Sequence, residues 1–216
     1  MSAETDGRRQ RGQRTRAEVA AQAAALASLD GLSGMTLSQL ATRLGVAKSS
    51  IQAAYATKED LQVAAVGAAI EIFVENVVAP AQPQPAGRPR LEALVDGWIS
   101  YVTRRVFPGG CFMIATLSEF DSHPGAVRDA LAQARHAWLA MLEQEAAAAQ
   151  AKGEIPAEPP AEMVAFEIDA LLGAANVSRN LTDDLAPLTA ARRLIDLRLG
   201  VPAVKTRSKA ASGRRR

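Results

Sequence analysis

Hydrophobic residues recur along most of the 216-residue chain at intervals of three and four, which is the period of a helix that buries one face. The first such stripe starts at Val19 and stops near Gly31. No stretch alternates apolar and polar residues for long enough to predict a β-strand. Alanine is abundant and aromatic residues make up only 4% of the chain, which also favours close-packed helices over sheets. The sequence therefore predicts an all-α protein.

Capping and turn residues divide this pattern into about nine helices. Thr36 and Gln39 have the spacing of a capping box, Gly45 is placed to end a helix, and Thr57 is placed to start one. The predicted helices are one ending near 30–31, then 37–44, 47–54, one from 57 that fades at 78, one carrying residues 91–102, then 111–122, one from Pro124 to about 152, then 161–181 and 187–199.

Residues 37–54 combine two short helices with a tight turn at Gly45, the arrangement of a helix-turn-helix. The predicted internal core is Leu40, Leu44, Val46 and Ile51. The side chains left exposed on the second helix are small or polar, namely Lys48, Ser49, Ser50, Gln52 and Ala53. Such side chains suit a DNA major groove, with Lys for phosphate, Ser and Gln for base edges, and Ala for a thymine methyl. An ordinary helical corner without a DNA role is the alternative.

The net charge of +2 conceals a strong asymmetry along the chain. Residues 1–16 carry a charge of +3 and residues 205–216 carry +6, whereas residues 61–204 carry −6. Two basic ends on an acidic body indicate a polyanionic partner. The alternative is that both ends are only disordered, solubilising tails. Helix N-termini at Thr36 and Thr57 offer further N–H donors for phosphates beside the predicted helix-turn-helix.

The order of these features resembles the N-terminal domain of the tetracycline-repressor (TetR) family of transcriptional regulators. The resemblance covers residues 14–66 and rests on TRAEVAAQAAALASLDGLSGMTLSQLATRLGVAKSSIQAAYATKEDLQVAAV. It implies phosphate contacts by Thr36, Lys48, Tyr55 and Lys58, and positions at or near the bases for Ser49, Ser50 and Gln52. Relatives often carry two aromatic residues after the recognition helix, whereas here Gln52 and Ala54 stand in their place and Tyr55 alone remains.

The resemblance extends loosely to the nine-helix plan and to GGCFMIATLSEFDSHPGAVRDAL in the C-terminal part. It implies a homodimer that binds a palindromic operator, usually as a repressor, and that a small ligand releases from double-stranded DNA. The expected domains are a disordered basic arm 1–13, a helix-turn-helix domain 14–60, a ligand-binding and dimerisation domain 61–202 connected through 61–78, and a disordered basic tail 203–216. Segment 80–89, with four prolines and one glycine, is the one strong linker signal inside the chain.

Aromatic residues on the apolar faces of the later helices are the candidates for a ligand cavity. They are Trp98, Phe112, Phe120, Trp138 and Phe166. Few charges accompany them, so the expected effector is apolar or aromatic. Most of these side chains alternatively belong to an ordinary core.

The eighth predicted helix carries two apolar stripes and therefore needs two partners. One stripe contains Met163, Phe166, Ala170 and Val177. The other, together with the ninth helix, is predicted to form a four-helix dimer interface. That predicted interface comprises Val164, Ile168, Leu171, Leu172, Ala175, Leu188, Ala191, Leu194 and Ile195.

Other chemistry has little support in the sequence. Glu119 and His123 have i, i+4 spacing, but a helix-end histidine beside a solvated carboxylate explains them, so no metal site is predicted. Nothing local activates Cys111 as a nucleophile, so neither an enzyme nor a cofactor is expected. A helical enzyme or a small-molecule-binding module without a DNA role remains the alternative, and a nucleoid or membrane-surface protein would rest only on the basic tails.

A single cysteine excludes an internal disulfide, and the longest uncharged run, 106–118, is too short to span a bilayer. The N-terminal segment is a poor signal peptide because Glu18 interrupts its apolar part. The predicted location is the cytoplasm.

Overall fold

The computed structural model describes residues 3–200, with side chains from residue 14 onward, and these residues form nine helices. The helices are α1 Ala3–Gly34, α2 Leu37–Leu44, α3 Lys48–Ala54, α4 Lys58–Phe73 with its continuation through Val74–Val78 and Ala79–Ala81, α5 Arg88–Thr103, α6 Phe112–Phe120, α7 Ala126–Ala151, α8 Ala161–Thr182 and α9 Ala186–Arg198. Within the described range there is no β-strand, so the all-α prediction is confirmed.

The predicted start and stop signals of α2 and α4 are confirmed in atomic detail. The Thr36 hydroxyl accepts a hydrogen bond from the Gln39 amide, and the Gln39 side chain accepts one in return from the Thr36 amide. Thr57 and Asp60 form the same capping box at α4. Gly45 ends α2 in the left-handed conformation, with φ 65°, which is readily available to glycine.

Three boundaries differ from the sequence prediction. Helix α1 continues to Gly34 beyond a break at Gly31, whose φ of 74° and ψ of 164° are not helical. Helix α7 begins at Ala126 rather than at Pro124, because Gly125 is the N-cap and its φ of 149° and ψ of 176° are not helical. Helix α4 reaches Ala81 through a π-helical stretch, Val74–Val78. That wider turn lies just before Pro80, which cannot donate a backbone hydrogen bond.

The predicted linker and terminal arms also change in extent. Pro89 lies in the first turn of α5, so the non-helical connection shrinks to residues 82–87. Segment 1–13, predicted as a disordered arm, is described as helix from Ala3, and its side chains lie outside the described ones. The predicted basic tail 203–216 lies outside the described residues.

One continuous core joins the two predicted domains. Helix α1 packs against α2, α4 and α6, and α4 also packs against α7. Helix α8 packs between α7 and α9, while α5 lies on α7 and on the π-helical stretch. The C-terminal helices are therefore connected to the helix-turn-helix through α1, which α4 and α6 both contact.

Segment Lys58–Ala81 is long and apolar enough to cross a membrane by length and composition alone. In the fold this segment packs against α1, α5 and α7, and Leu61, Ala65 and Val66 are fully buried there. Its apolar character is explained by these contacts within the protein.

Candidate DNA-binding surface and internal cavity

Helix α3 is held by its backbone turn and by few buried side chains, which leaves its outer face open. The Val46 amide donates to the Ala41 carbonyl over 3.1 Å, which closes the turn, and Ile51 is fully buried. Val46 itself is 40% exposed and Leu44 is half-buried, so the predicted internal core is smaller than expected. The predicted recognition side chains Lys48, Ser49, Ser50, Gln52 and Ala53 are all exposed on α3.

The residues predicted to contact phosphate at the flanks have different surroundings. Thr36 and Lys58 are exposed, but both already make bonds within the chain. The Thr36 hydroxyl belongs to its capping box. The Lys58 ammonium donates to the Ser33 carbonyl over 2.8 Å, so this lysine lies at the junction of α1 and α2.

The prediction that Tyr55 contacts phosphate is wrong, because this side chain faces inward. It is buried, its hydroxyl donates to the Arg16 carbonyl over 2.7 Å, and the Arg16 guanidinium lies 4.7 Å from the centre of its ring. Burial raises the pKa of Tyr55. The side chain attaches α1 to the end of α3 and does not join the exposed residues.

Helices α4 to α8 surround a cavity of about 120 Å³ that is partly open to solvent and has an almost entirely apolar lining. Trp98, Phe112 and Trp138 line it, as predicted. The Phe73 ring contacts Tyr101 and Trp138 edge to face, with ring centroids 5.6 and 5.2 Å apart. Neither Phe73 nor Tyr101 was predicted to line the cavity, although the aromatic character of both was a usable signal.

Two predicted ligand residues lie elsewhere. Phe120 is half-buried and packs against the core outside the cavity lining. Phe166 is 63% exposed on the outer face of α8. It faces away because the opposite side of α8 packs against α7 and α9.

The polar groups of the cavity include one ion pair, between the Arg135 guanidinium of α7 and the Asp169 carboxylate of α8, which lie 2.7 Å apart. Burial raises the pKa of the Cys111 thiol to about 11. Burial likewise raises the pKa of the Tyr101 phenol. Both groups are therefore neutral at pH 7, and the lining charges are those of Arg135 and Asp169.

Helix α6 connects the cavity to the segment that leads into the helix-turn-helix. Phe112 and Leu117 of α6 line the cavity. At the other end of α6, the two oxygens of the Glu119 carboxylate accept hydrogen bonds from the backbone amides of Leu32 and Ser33, over 3.0 and 2.8 Å. A side chain at Gly31 would collide with that carboxylate.

Two residues of α4 bind the carbonyls of the same turn. Gln62 donates to the Leu32 carbonyl over 2.9 Å, and Lys58 donates to that of Ser33. The turn before α2 is thus held by α6 on its amide side and by α4 on its carbonyl side. Glu119 makes backbone contacts here rather than pairing with His123, and the described residues contain no cluster of three potential metal ligands.

The predicted dimer interface needs a larger correction. Most of its residues are buried inside the single chain, because this side of α8 packs on α7 and α9. Leu171 is half-buried and Leu194 is exposed. The buried ones are Val164, Ile168, Leu172, Ala175, Leu188, Ala191 and Ile195. The other stripe of α8 is instead exposed, and α9 also exposes apolar side chains. The exposed apolar side chains of these two helices, called here the outer apolar face, are Met163, Phe166, Ala170, Val177, Leu181, Leu194 and Leu197.

A helix-turn-helix that shares its core with an all-helical domain around an apolar cavity defines a class of ligand-responsive transcriptional regulators. A family model described as "Tetracyclin repressor-like, C-terminal domain" matches residues 87–195, about half of the chain. The chain belongs to the TetR family of transcriptional regulators. No curated protein sequence matches it.

Solved structures of TetR regulators share the fold over most of their length. A regulator from Chloroflexus aurantiacus J-10-FL is 27% identical, with a TM-score of 0.80 over 87% of this chain and 95% of that one. A regulator from Cytophaga hutchinsonii is 21% identical, with a TM-score of 0.75 over 90% and 98%. AibR, solved with isovaleryl coenzyme A and operator DNA, is 19% identical, with a TM-score of 0.71 over 85% and 98%.

Proposed function

We propose that this protein is a cytoplasmic, homodimeric repressor that binds a palindromic operator and is released from it by a small apolar or aromatic effector. The observation that carries this proposal is the placement of α6. Its first turns line the cavity, and its last turn holds the amides of Leu32 and Ser33, directly before α2. A ligand that shifts α6 would therefore shift the segment that orients the helix-turn-helix.

In this proposal α3 enters the major groove, and its side chains contact different parts of the DNA. Lys48 contacts phosphate, Ser49, Ser50 and Gln52 lie at the base edges, and Ala53 lies against apolar base surface. Thr36 and Lys58 approach the phosphates on either side. Tyr55 has a different role: through its bond to the Arg16 carbonyl it holds α1 against the end of α3.

The outer apolar face of α8 and α9 is the proposed dimer interface. Large hydrophobic side chains are exposed on both helices, for example Phe166 on α8 and Leu194 on α9. A two-fold axis through this face would bury these side chains against their own copy, as isologous interfaces do. Two helix-turn-helix units would then face two half-sites of an operator.

Release requires that the effector bind the DNA-incompetent arrangement more tightly than the competent one. The fully buried Phe112 and the partly buried Leu117 are positions at which a ligand can displace α6. AibR was crystallised with both an acyl-coenzyme A and operator DNA, which supports the combination of a ligand site and a DNA site on this fold.

The test is footprinting of the purified full chain on the DNA that flanks its own gene. We expect a protected palindrome that is lost when Ser49, Ser50 and Gln52 are all changed to alanine. The matched control changes Ser178, an exposed serine on α8, to alanine and should leave the footprint intact. A folded protein that protects no flanking sequence would favour the alternative, a helical binding module without a DNA role.

A further inference from the structure

We propose that the cavity selects a small monocarboxylic acid with one ring or a short apolar chain, and that Arg135 binds its carboxylate. This inference rests on the proposed function only in treating the cavity as the effector site. It names the chemical class of the effector from the size and the charges of the lining.

The size of the cavity limits the apolar part of the ligand. A volume of about 120 Å³ is close to that of the engineered protein cavity of about 150 Å³ that holds one benzene molecule. The lining rings of Phe73, Phe112 and Trp138 favour an aromatic or a compact aliphatic group. A molecule with several fused rings would need the helices to separate.

The charges of the lining select the polar end of the ligand. Arg135 and Asp169 are the charged residues of the lining, and the Arg135 side chain is 33% exposed whereas that of Asp169 is 11% exposed. The ion pair uses one terminal amino group of the guanidinium. A guanidinium has five N–H donors in a planar fork, so its other donors can receive a second carboxylate in a bidentate manner.

An anionic ligand and a cationic ligand differ in what they would do to this pair. A carboxylate adds to Arg135 while the contact between Arg135 and Asp169 stays in place. An ammonium group would have to bind the other oxygen of the Asp169 carboxylate, whose side chain is only 11% exposed, whereas the Arg135 side chain is 33% exposed. The geometry therefore favours the anion.

The remaining polar groups do not offer a competing preference. The thiol of Cys111 and the phenol of Tyr101 stay protonated at neutral pH, since burial raises the pKa of both. Neither attracts a cation, and a protonated thiol is a poor nucleophile toward an electrophilic ligand. Arg135 is thus the positive group that a ligand can reach from the cavity.

Matched ligands test the charge preference directly. Trp98 and Trp138, the two tryptophans of the chain, both line the cavity, so intrinsic fluorescence reports on binding there. We would titrate the full chain, without DNA, with benzoate, benzamide and benzylamine, and then with cyclohexanecarboxylate and its amide. We expect each acid to bind about 10- to 100-fold more tightly than its amide, as for a hydrogen bond to a charged group, and benzylamine to bind most weakly.

Variants test the residue. Arg135→Gln alone leaves Asp169 without its partner and endangers folding, so the decisive variant is the neutral pair Arg135→Gln with Asp169→Asn. In this variant the acid should bind no better than the amide, while the amide binds as in the parent protein. The control is Arg128→Gln, which removes an arginine from the same helix. The Arg128 side chain contacts Asp121 and Asp129, so this variant should leave acid binding unchanged.

Three results would overturn the inference: equal affinity for acid and amide, undiminished acid binding in the neutral-pair variant, or no saturable binding of either acid. These results are independent of the footprint. If the protein gives a footprint but shows no preference for acids, only the assignment of the ligand as a carboxylic acid is wrong. If it prefers acids but gives no footprint, only the proposal that it is a DNA-binding regulator is wrong.

Discussion

The helix-turn-helix and the cavity hold their candidate functional side chains in opposite ways. In α2 and α3 only Leu40, Ala41 and Ile51 are buried, and the exposed side chains are aimed by a glycine turn and a capping box. The cavity instead takes its lining from five helices and holds each side chain by packing. The first site is local in sequence, whereas the second exists only after the chain has folded.

This difference means that the two sites respond to different perturbations. Substitutions of the exposed side chains of α3 change a surface without disturbing the core, so they should alter DNA affinity alone. Substitutions around the cavity change packing that α4 and α6 share with the turn before α2. The contact of Glu119 with that turn is where the two kinds of site meet.

The largest expected effect is on the proposed dimer, which would place two helix-turn-helix units on one operator. Phe166→Glu should produce a folded monomer, because this ring is exposed in the single chain. Loss of the second half-site should weaken operator binding by about 100-fold or more. Light scattering and a footprint titration would measure the two effects.

The matched control for that experiment is Leu29→Glu, which places the same charge at another exposed hydrophobic residue, on α1. It should leave the protein dimeric. Leu172→Glu is unsuitable as a probe, since Leu172 lines the cavity and a buried charge there would destabilise the fold. A dimeric Phe166→Glu protein would place the interface elsewhere.

The second prediction separates two residues of α3. Gln52→Ala, if this side chain reads a base, should cost about 1–3 kcal/mol on the operator and relax one position in each half-site. Lys48→Ala should weaken binding to all sequences and reduce the salt slope by about one unit, because one phosphate contact is lost. Binding titrations on operator and random DNA at several salt concentrations would measure both. If Gln52→Ala lowers the affinity for operator DNA and for random DNA equally, Gln52 contacts phosphate rather than a base.

The third prediction concerns the link between the two regions. Glu119→Ala removes two hydrogen bonds from the turn before α2 and should weaken operator binding by about 10-fold, as expected for about 1.4 kcal/mol. It should also reduce the effect of a cavity ligand on DNA affinity while leaving the affinity of that ligand in the absence of DNA nearly unchanged. The control is Glu143→Ala, at an exposed glutamate of α7. Full ligand response in Glu119→Ala would exclude this route.

The smallest expected effect concerns the protonation of the Cys111 thiol, which lines the cavity. The folded pKa of Cys111, about 11, lies above its ordinary value of 9.0, so the folded state keeps the proton to higher pH. The stabilisation that results is fully present below pH 9 and is lost as pH rises toward 11. Alkylation of this single thiol should therefore be slow at pH 7 and should keep accelerating up to about pH 11. A rate that levels off near pH 9 in folded protein would contradict the burial of the thiol.

Sequence patterns predicted the helices and the exposed side chains of α3 because the signals involved are local. A capping box spans four residues, and a glycine that ends a helix acts within one turn. The exposed positions of α3 follow from the 3.6-residue period around the buried Ile51. The burial of Tyr55 could not be predicted in this way, because its hydroxyl donates to the carbonyl of Arg16, 39 positions earlier in the chain.

The cavity was predictable only in part. Trp98, Phe112 and Trp138 were identified as aromatic residues on apolar helix faces, but Phe166 has the same local pattern and lies outside. Phe73 was missed because α4 was interpreted as a connection between domains, whereas it forms one wall of the cavity. The aromatic character of a residue and the helical period of its neighbours do not specify which other helix that face of the helix packs against.

The sequence by itself determined an all-α chain, the limits of α2, the cap of α4 and a short polar helix presented to solvent, because each depends on residues a few positions apart. Only the tertiary structure decided which of the two apolar stripes on α8 became core. Both stripes satisfy the same period, and the choice follows from α7 and α9, which pack against the Ile168 and Leu172 side and leave Phe166 exposed. It also decided that Glu119 meets Leu32, 87 residues away, since only folding brings α6 to the end of α1.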